Sequence, residues 1–190
     1  MEKAKFNKIS DATEEDCRIV LRSEAKYIDK LPNRILTEMK SMESVGMYDS
    51  YQVSVYEHSL QAATRAMRDN ADKELIVATL LHDIGYNIAT TNHGELAASI
   101  LRPFVREEVT WIIEHHDIFS LYYYADNVPK IKQFKNMRDK FKENKWFNNA
   151  INFCEKYDGI SFDPNYNSLP LSKFEPLIYD IFRKSDTPII

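Results

Sequence analysis

"DKELIVATLLHDIG", residues 72–85, decides how this chain folds. Its apolar residues nearly surround a helix, and a helix that is apolar on all sides belongs in an interior. Something must cover it. The chain shows no strand-type alternation of any length, and only 4 glycines occur in 190 residues, so hairpin turns are scarce. The covering elements are therefore helices, and the expected fold class is all-α, one compact helical bundle. The same stretch closes on His82-Asp83, with Gly85 placed to stop the helix. Burying a carboxylate there is costly unless a cation or a strong partner neutralises it.

The flanking sequence extends the pattern. Thr13 and Asp16 form a loose capping signal for a helix in "TEEDCRIVLRSEAKYIDK". Pro32 opens another, with Leu36, Met39 and Met42 on one stripe, and Gly46 breaks it. "VSVYEHSLQAATRAMRD" places Val55, Leu60, Ala63 and Met67 near helical spacing. "NHGELAASILRPFV" reads as a short helix capped by Asn92, and "REEVTWIIEHHDIF" as the next. Three more follow: "KIKQFKNMRDKFKENKW", with Ile131, Phe134, Met137 and Phe141 on a stripe, then "WFNNAINFCEKYDGI" and "SKFEPLIYDIFRK".

Composition bounds the function. Hydrophobic residues make up 44% and charged residues 28%, as in ordinary globular proteins. A net charge of −4 argues against a general nucleic-acid binder. Cys17 and Cys154 form no CxxC site and no disulfide framework, which suits a reducing, cytoplasmic setting. The charged N-terminus lacks the apolar core of a signal peptide, and the longest apolar runs are too short to span a bilayer. No membrane partner is expected.

Histidine placement carries the chemistry. All five histidines, His58, His82, His93, His115 and His116, lie between positions 58 and 116. A lone histidine in an apolar helix is ordinarily a hydrogen-bonded core residue. The His82-Asp83 doublet is harder to explain that way, and a metal ion would neutralise the carboxylate. A nearby lysine or arginine would do the same. Imidazole nitrogen with carboxylate oxygen suits Fe, Mn, Zn or Co.

His58, the "HD" at 82–83 and Asp158 in "FCEKYDGISFD" resemble the ligand pattern of the HD-domain superfamily. His93 and His116 match the additional ligands of its binuclear branch. The resemblance implies two metal positions. His58, His82, Asp83 and Asp158 would hold one; Asp83 would bridge to a second, held by His93 and His116. The closest likeness, over roughly residues 45 to 185, is to the mixed-valent diiron oxygenases, namely inositol oxygenase and the oxygenases that cleave 1-hydroxyphosphonates. The whole chain, 1–190, would then be a single HD domain with an N-terminal helical extension. The implied cofactor is a mixed-valent Fe(II)/Fe(III) pair, with Mn or another divalent metal as a substitute. The implied partners are O2 and a small hydroxylated substrate.

The chain departs from these relatives at Tyr86, where they carry a lysine or histidine, and at Tyr51, where the phosphonate enzymes carry a glutamate. Tyr48 matches their lid tyrosine. Neither family substrate is therefore carried over. Tyr48, Tyr51, Tyr86 and His115 are expected to line the substrate pocket, and Tyr122, Tyr123 and Tyr124 either wall it or pack with exposed hydroxyls. The same ligand set also suits a metal-dependent phosphohydrolase acting on a nucleotide or other phosphate ester, by generating hydroxide near neutral pH. A convergent Lys/Arg pair at the metals would mark that alternative. A non-catalytic binding module that keeps metal for folding is the third reading. Residues 130–146 hold seven Lys/Arg against two acids, which reads as a solvated basic face.

Overall fold

The structure is a computed structural model that describes residues 2–44, 51–125, 127–128 and 132–183. Among these residues every regular element is helical, as expected. The α-helices are α1 (Glu14–Ile28), α2 (Leu31–Ser41), α3 (Val55–Arg68), α4 (Lys73–Leu81), α5 (His93–Leu101), α6 (Glu107–Tyr124), α7 (Gln133–Asp139), α8 (Phe147–Phe153) and α9 (Glu175–Phe182). A π-helical turn, Cys154–Asp158, continues α8. No described helix is long and apolar enough to cross a membrane.

α4 sits at the centre, packed against α3, α6 and α9. Every residue from Ile76 to Leu81 is buried. At about 1.5–3 kcal/mol for each large aliphatic side chain buried, Ile76, Val77, Leu80 and Leu81 anchor the core. α4 starts where Asp72 accepts hydrogen bonds from the Glu74 and Leu75 amides.

The capping reading holds for α1, where Thr13 and Asp16 form a reciprocal box. A second box, Ser54 with Glu57, sets the start of α3. Asn92 differs: its side chain makes no cap hydrogen bond to the α5 backbone. The stripe on α2 is real, with Leu36, Met39 and Met42 buried. Gly46, Ile131 and the side chain of Phe134 fall outside the described residues. α6 runs further than expected, through the tyrosines at 122–124, and α7 is shorter.

Gly85 has a different role from the one its position suggested. α4 ends at Leu81, and no described glycine has positive φ. A Cβ on Gly85 would meet Leu96 Cδ2 at 2.8 Å, so this glycine lets the turn after α4 pack closely on α5. That turn carries His82 and Asp83.

Candidate metal centre

Five segments converge beside α4. α3 brings His58, the turn after α4 brings His82 and Asp83, and the first residue of α5 is His93. The middle of α6 brings His116, and the π turn ends on Asp158. All six side chains are buried. A π turn is a local widening of the helix that often occurs at functional sites. Here it delivers Asp158 into the cluster.

The four imidazoles are aimed in the same way. Each points Nδ1 at a backbone carbonyl: His58 at Ser161 (2.9 Å), His82 at Thr79 (2.8 Å), His93 at Thr90 (3.0 Å) and His116 at Ile113 (2.7 Å). A carbonyl only accepts, so Nδ1 carries a proton and Nε2 is the atom turned inward, where its lone pair can take a second proton or a metal ion. The result is a convergence of acceptors. His58 Nε2 and His82 Nε2 lie 3.1 Å apart. Two lone pairs at that distance need a proton or a cation between them.

The carboxylates complete two groups. Asp83 Oδ2 lies 3.6 Å from His58 Nε2 and 3.4 Å from His82 Nε2. Asp158 Oδ1 approaches the same nitrogens at 3.2 and 3.7 Å. The other oxygen of Asp83, Oδ1, lies 3.0 Å from His93 Nε2 and 3.5 Å from His116 Nε2. One carboxylate thus offers an oxygen to each pair of histidines. Ser120 donates a short hydrogen bond to Asp158 Oδ2, which leaves Oδ1 to the cluster. Among the described residues, the ion-pair partners of Asp83 are histidines, and no lysine or arginine reaches it.

Charge follows from this geometry. Burial opposes ionisation of Asp83, but the imidazole of His82, with His116, His93 and His58, holds it well below the usual carboxylate range. Asp158 is pushed down likewise: burial opposes, and His58 and His82 prevail. For His93, burial disfavours the charged ring, yet Asp117 and Asp83 hold its pKa up at about 10. His116 is pushed up to about 9 against burial, by Asp117 and then Asp83. The interior carboxylates therefore stay ionised and draw positive charge, as protons or as metal. With two imidazole nitrogens and carboxylate oxygen facing each point, the cluster can bind a pair of divalent ions.

Asp117 was not anticipated. Its Oδ1 lies 2.9 Å from His93 Nε2 and 3.3 Å from His116 Nε2. The signal was present: "HHD" at 115–117 repeats the histidine–aspartate adjacency of 82–83. Ser120 was also missed, although it lies one turn after His116 and on the same side of α6.

A cavity of about 520 Å3 opens onto the cluster, with Tyr51, Tyr86 and Tyr124 in its wall. The Tyr86 ring stands 4.7 Å from that of His93, and Tyr51 stacks on Phe162, which stacks on His58. Tyr48 lies outside the described residues. His115 is a correction. It does not line this cavity but bonds the Trp111 carbonyl and packs on the rings of Trp111 and Phe141. Adjacent helical positions differ by about 100° in direction; on α6 the cluster side is taken by His116 and Asp117, and His115 falls on the side of Trp111 and Phe141. Tyr122 is also turned aside, beneath the guanidinium of Arg138.

None of the curated proteins searched matches this chain. Residues 55–143 match the family model of the HD domain, a helical fold of metal-dependent enzymes that are mostly hydrolases, and the match takes in five of the six predicted ligands and leaves out Asp158.

Proposed function

We propose that the protein is an HD-domain diiron oxygenase that cleaves a C–C or C–P bond next to a hydroxyl-bearing carbon of a small polar substrate. His58, His82, Asp83 and Asp158 hold the first ion in this reading, and Asp83, His93 and His116 hold the second. One observation favours oxygenase over hydrolase. The described wall of the cavity contains Glu95, Glu114 and Asp117 and no lysine or arginine. A phosphate ester would meet acids there, beyond whatever the ions themselves neutralise. A neutral, hydroxylated substrate meets polar groups suited to it, among them Thr90, Thr91 and Asn92, and because a phosphonate would meet the same acids, this wall suits the C–C branch of the reaction better than the C–P branch.

A mixed-valent iron pair, when bound, supplies oxygen activation and removal of hydrogen from the carbon that bears the hydroxyl. The chain supplies position and an aromatic surround. The Nδ1–carbonyl bonds fix the ring orientations, which tunes affinity and geometry. Tyr51, Phe162 and Tyr124 form an aromatic wall on the His58 side of the cavity. The Tyr86 ring stands beside that of His93 in the cavity wall, on the side of the second position.

The test is oxygen uptake by iron-loaded protein against a panel of small hydroxylated compounds. In parallel, phosphate release from nucleotides and simple esters is measured without oxygen. Substrate-dependent oxygen consumption is expected. Anaerobic phosphate release with Mn as effective as Fe would replace this reading with the phosphohydrolase that the HD-domain match also allows.

A further inference from the structure

We infer that Asp117 is a protein ligand of the second metal position. The inference rests on the two-metal reading above and adds a donor to it. Three observations carry it. Asp117 Oδ1 stands 2.9 Å from His93 Nε2 and 3.3 Å from His116 Nε2, the same two lone pairs that Asp83 Oδ1 faces. Both imidazoles have committed Nδ1 to backbone carbonyls, so what lies between Nε2 and Asp117 is the position of a proton or an ion. His93, His116 and Asp117 also bring one donor atom each within 4.8 Å of one another.

An ion seated between the rings would take the Nε2 lone pairs, and the Asp117 oxygen, 2.9 and 3.3 Å from them, would face that ion directly. The two positions become alike: each has two imidazoles, one carboxylate of its own and one oxygen of Asp83. A further carboxylate lowers the net charge at the second position, weakens its Lewis acidity and favours the more oxidised state of a redox-active ion there. A position with four protein donors also suits tetrahedral, redox-inert Zn(II), which makes zinc a clean probe.

The full-length chain, stripped and reloaded with Zn(II), is crystallised, and zinc binding is titrated for wild type and Asp117→Asn. The expected structure has two ions, with an Asp117 oxygen about 2.0–2.2 Å from the second. Asp117→Asn keeps shape and hydrogen bonding but removes the charge. It should weaken the second equivalent at least about tenfold and leave the first within about threefold. Loss of an outer-sphere partner alone can cost about 10–100-fold, so the distance decides. Two bound ions with Asp117 more than about 3 Å from either overturn this inference and leave the two-metal reading intact, since direct zinc–oxygen bonds measure about 2.0–2.2 Å. Equal affinities in the two proteins overturn it as well. A wild type that takes up a single equivalent removes the two-metal reading, and this inference falls with it.

Discussion

Asp83 is the residue on which the site turns, because its two oxygens face different histidine pairs. Asp83→Ala should abolish uptake of both ions, whereas His116→Ala should spare the first; metal analysis of the two purified variants distinguishes them. A second prediction concerns pH in the metal-free protein. His93 and His116 are held up at about 10 and about 9, above the ordinary histidine value near 6.5. A pKa raised by folding stabilises fully below the unfolded value and is lost as pH climbs through the folded one. The thermal midpoint of chelator-treated protein should therefore fall between about pH 6.5 and 10. Metal uptake should strengthen over the same range, since binding displaces those protons. Calorimetry with and without Zn(II) at pH 6.5, 8 and 9.5 checks both slopes (the three pH values are about evenly spaced over the titration range). Most of the donor set was legible in the sequence, since histidines cluster and one is joined to a carboxylate. Asp117 carries the same histidine–aspartate signal, but its reach to His93 depends on how α6 meets α5, which spacing along the chain does not encode. That His115 points elsewhere depends on the rotational phase of α6, which Ile112 and Ile113 set by being buried.

Glycines decide how the elements carrying these donors approach. A Cβ on Gly94, in the first turn of α5, would lie 3.0 Å from the Ile113 carbonyl and 3.2 Å from the His116 ring. That carbonyl is the one that holds His116 Nδ1. Gly94→Ala should destabilise the fold by about 1–3 kcal/mol, as overpacking does, and lower loading of the second position more than the first. Chemical denaturation and zinc titration report the two effects separately. Element identity was easy to read and element contact was not. Helical periodicity and the cap at Thr13 are local, whereas the close approach of α5 to α6 is a property of two segments together. Gly85 shows the difference, since a stop signal and a contact signal look the same in one dimension.

Across the whole molecule, the cluster joins residues from position 58 to position 158. Binding that occurs only in the folded state raises stability by mass action, by about 2.7 kcal/mol at a ligand concentration 100 times Kd. Saturating Zn(II) should therefore raise the thermal midpoint by several degrees in wild type and leave Asp83→Ala unmoved, as read by calorimetry.

The carbonyls that orient the rings divide the site by distance along the chain. His82, His93 and His116 each take their partner three residues upstream, whereas His58 relies on Ser161, 103 residues downstream. Three rings are thus pointed by their own turn, before any remote segment arrives. As the polypeptide leaves the ribosome, the pocket formed by Asp83, His93 and His116 can close while the tail bearing Asp158 and Ser161 is still being made. The ring-orienting carbonyls of His93 and His116 thus both lie upstream of that tail, whereas the half of the cluster built on His58 waits for Ser161 and Asp158.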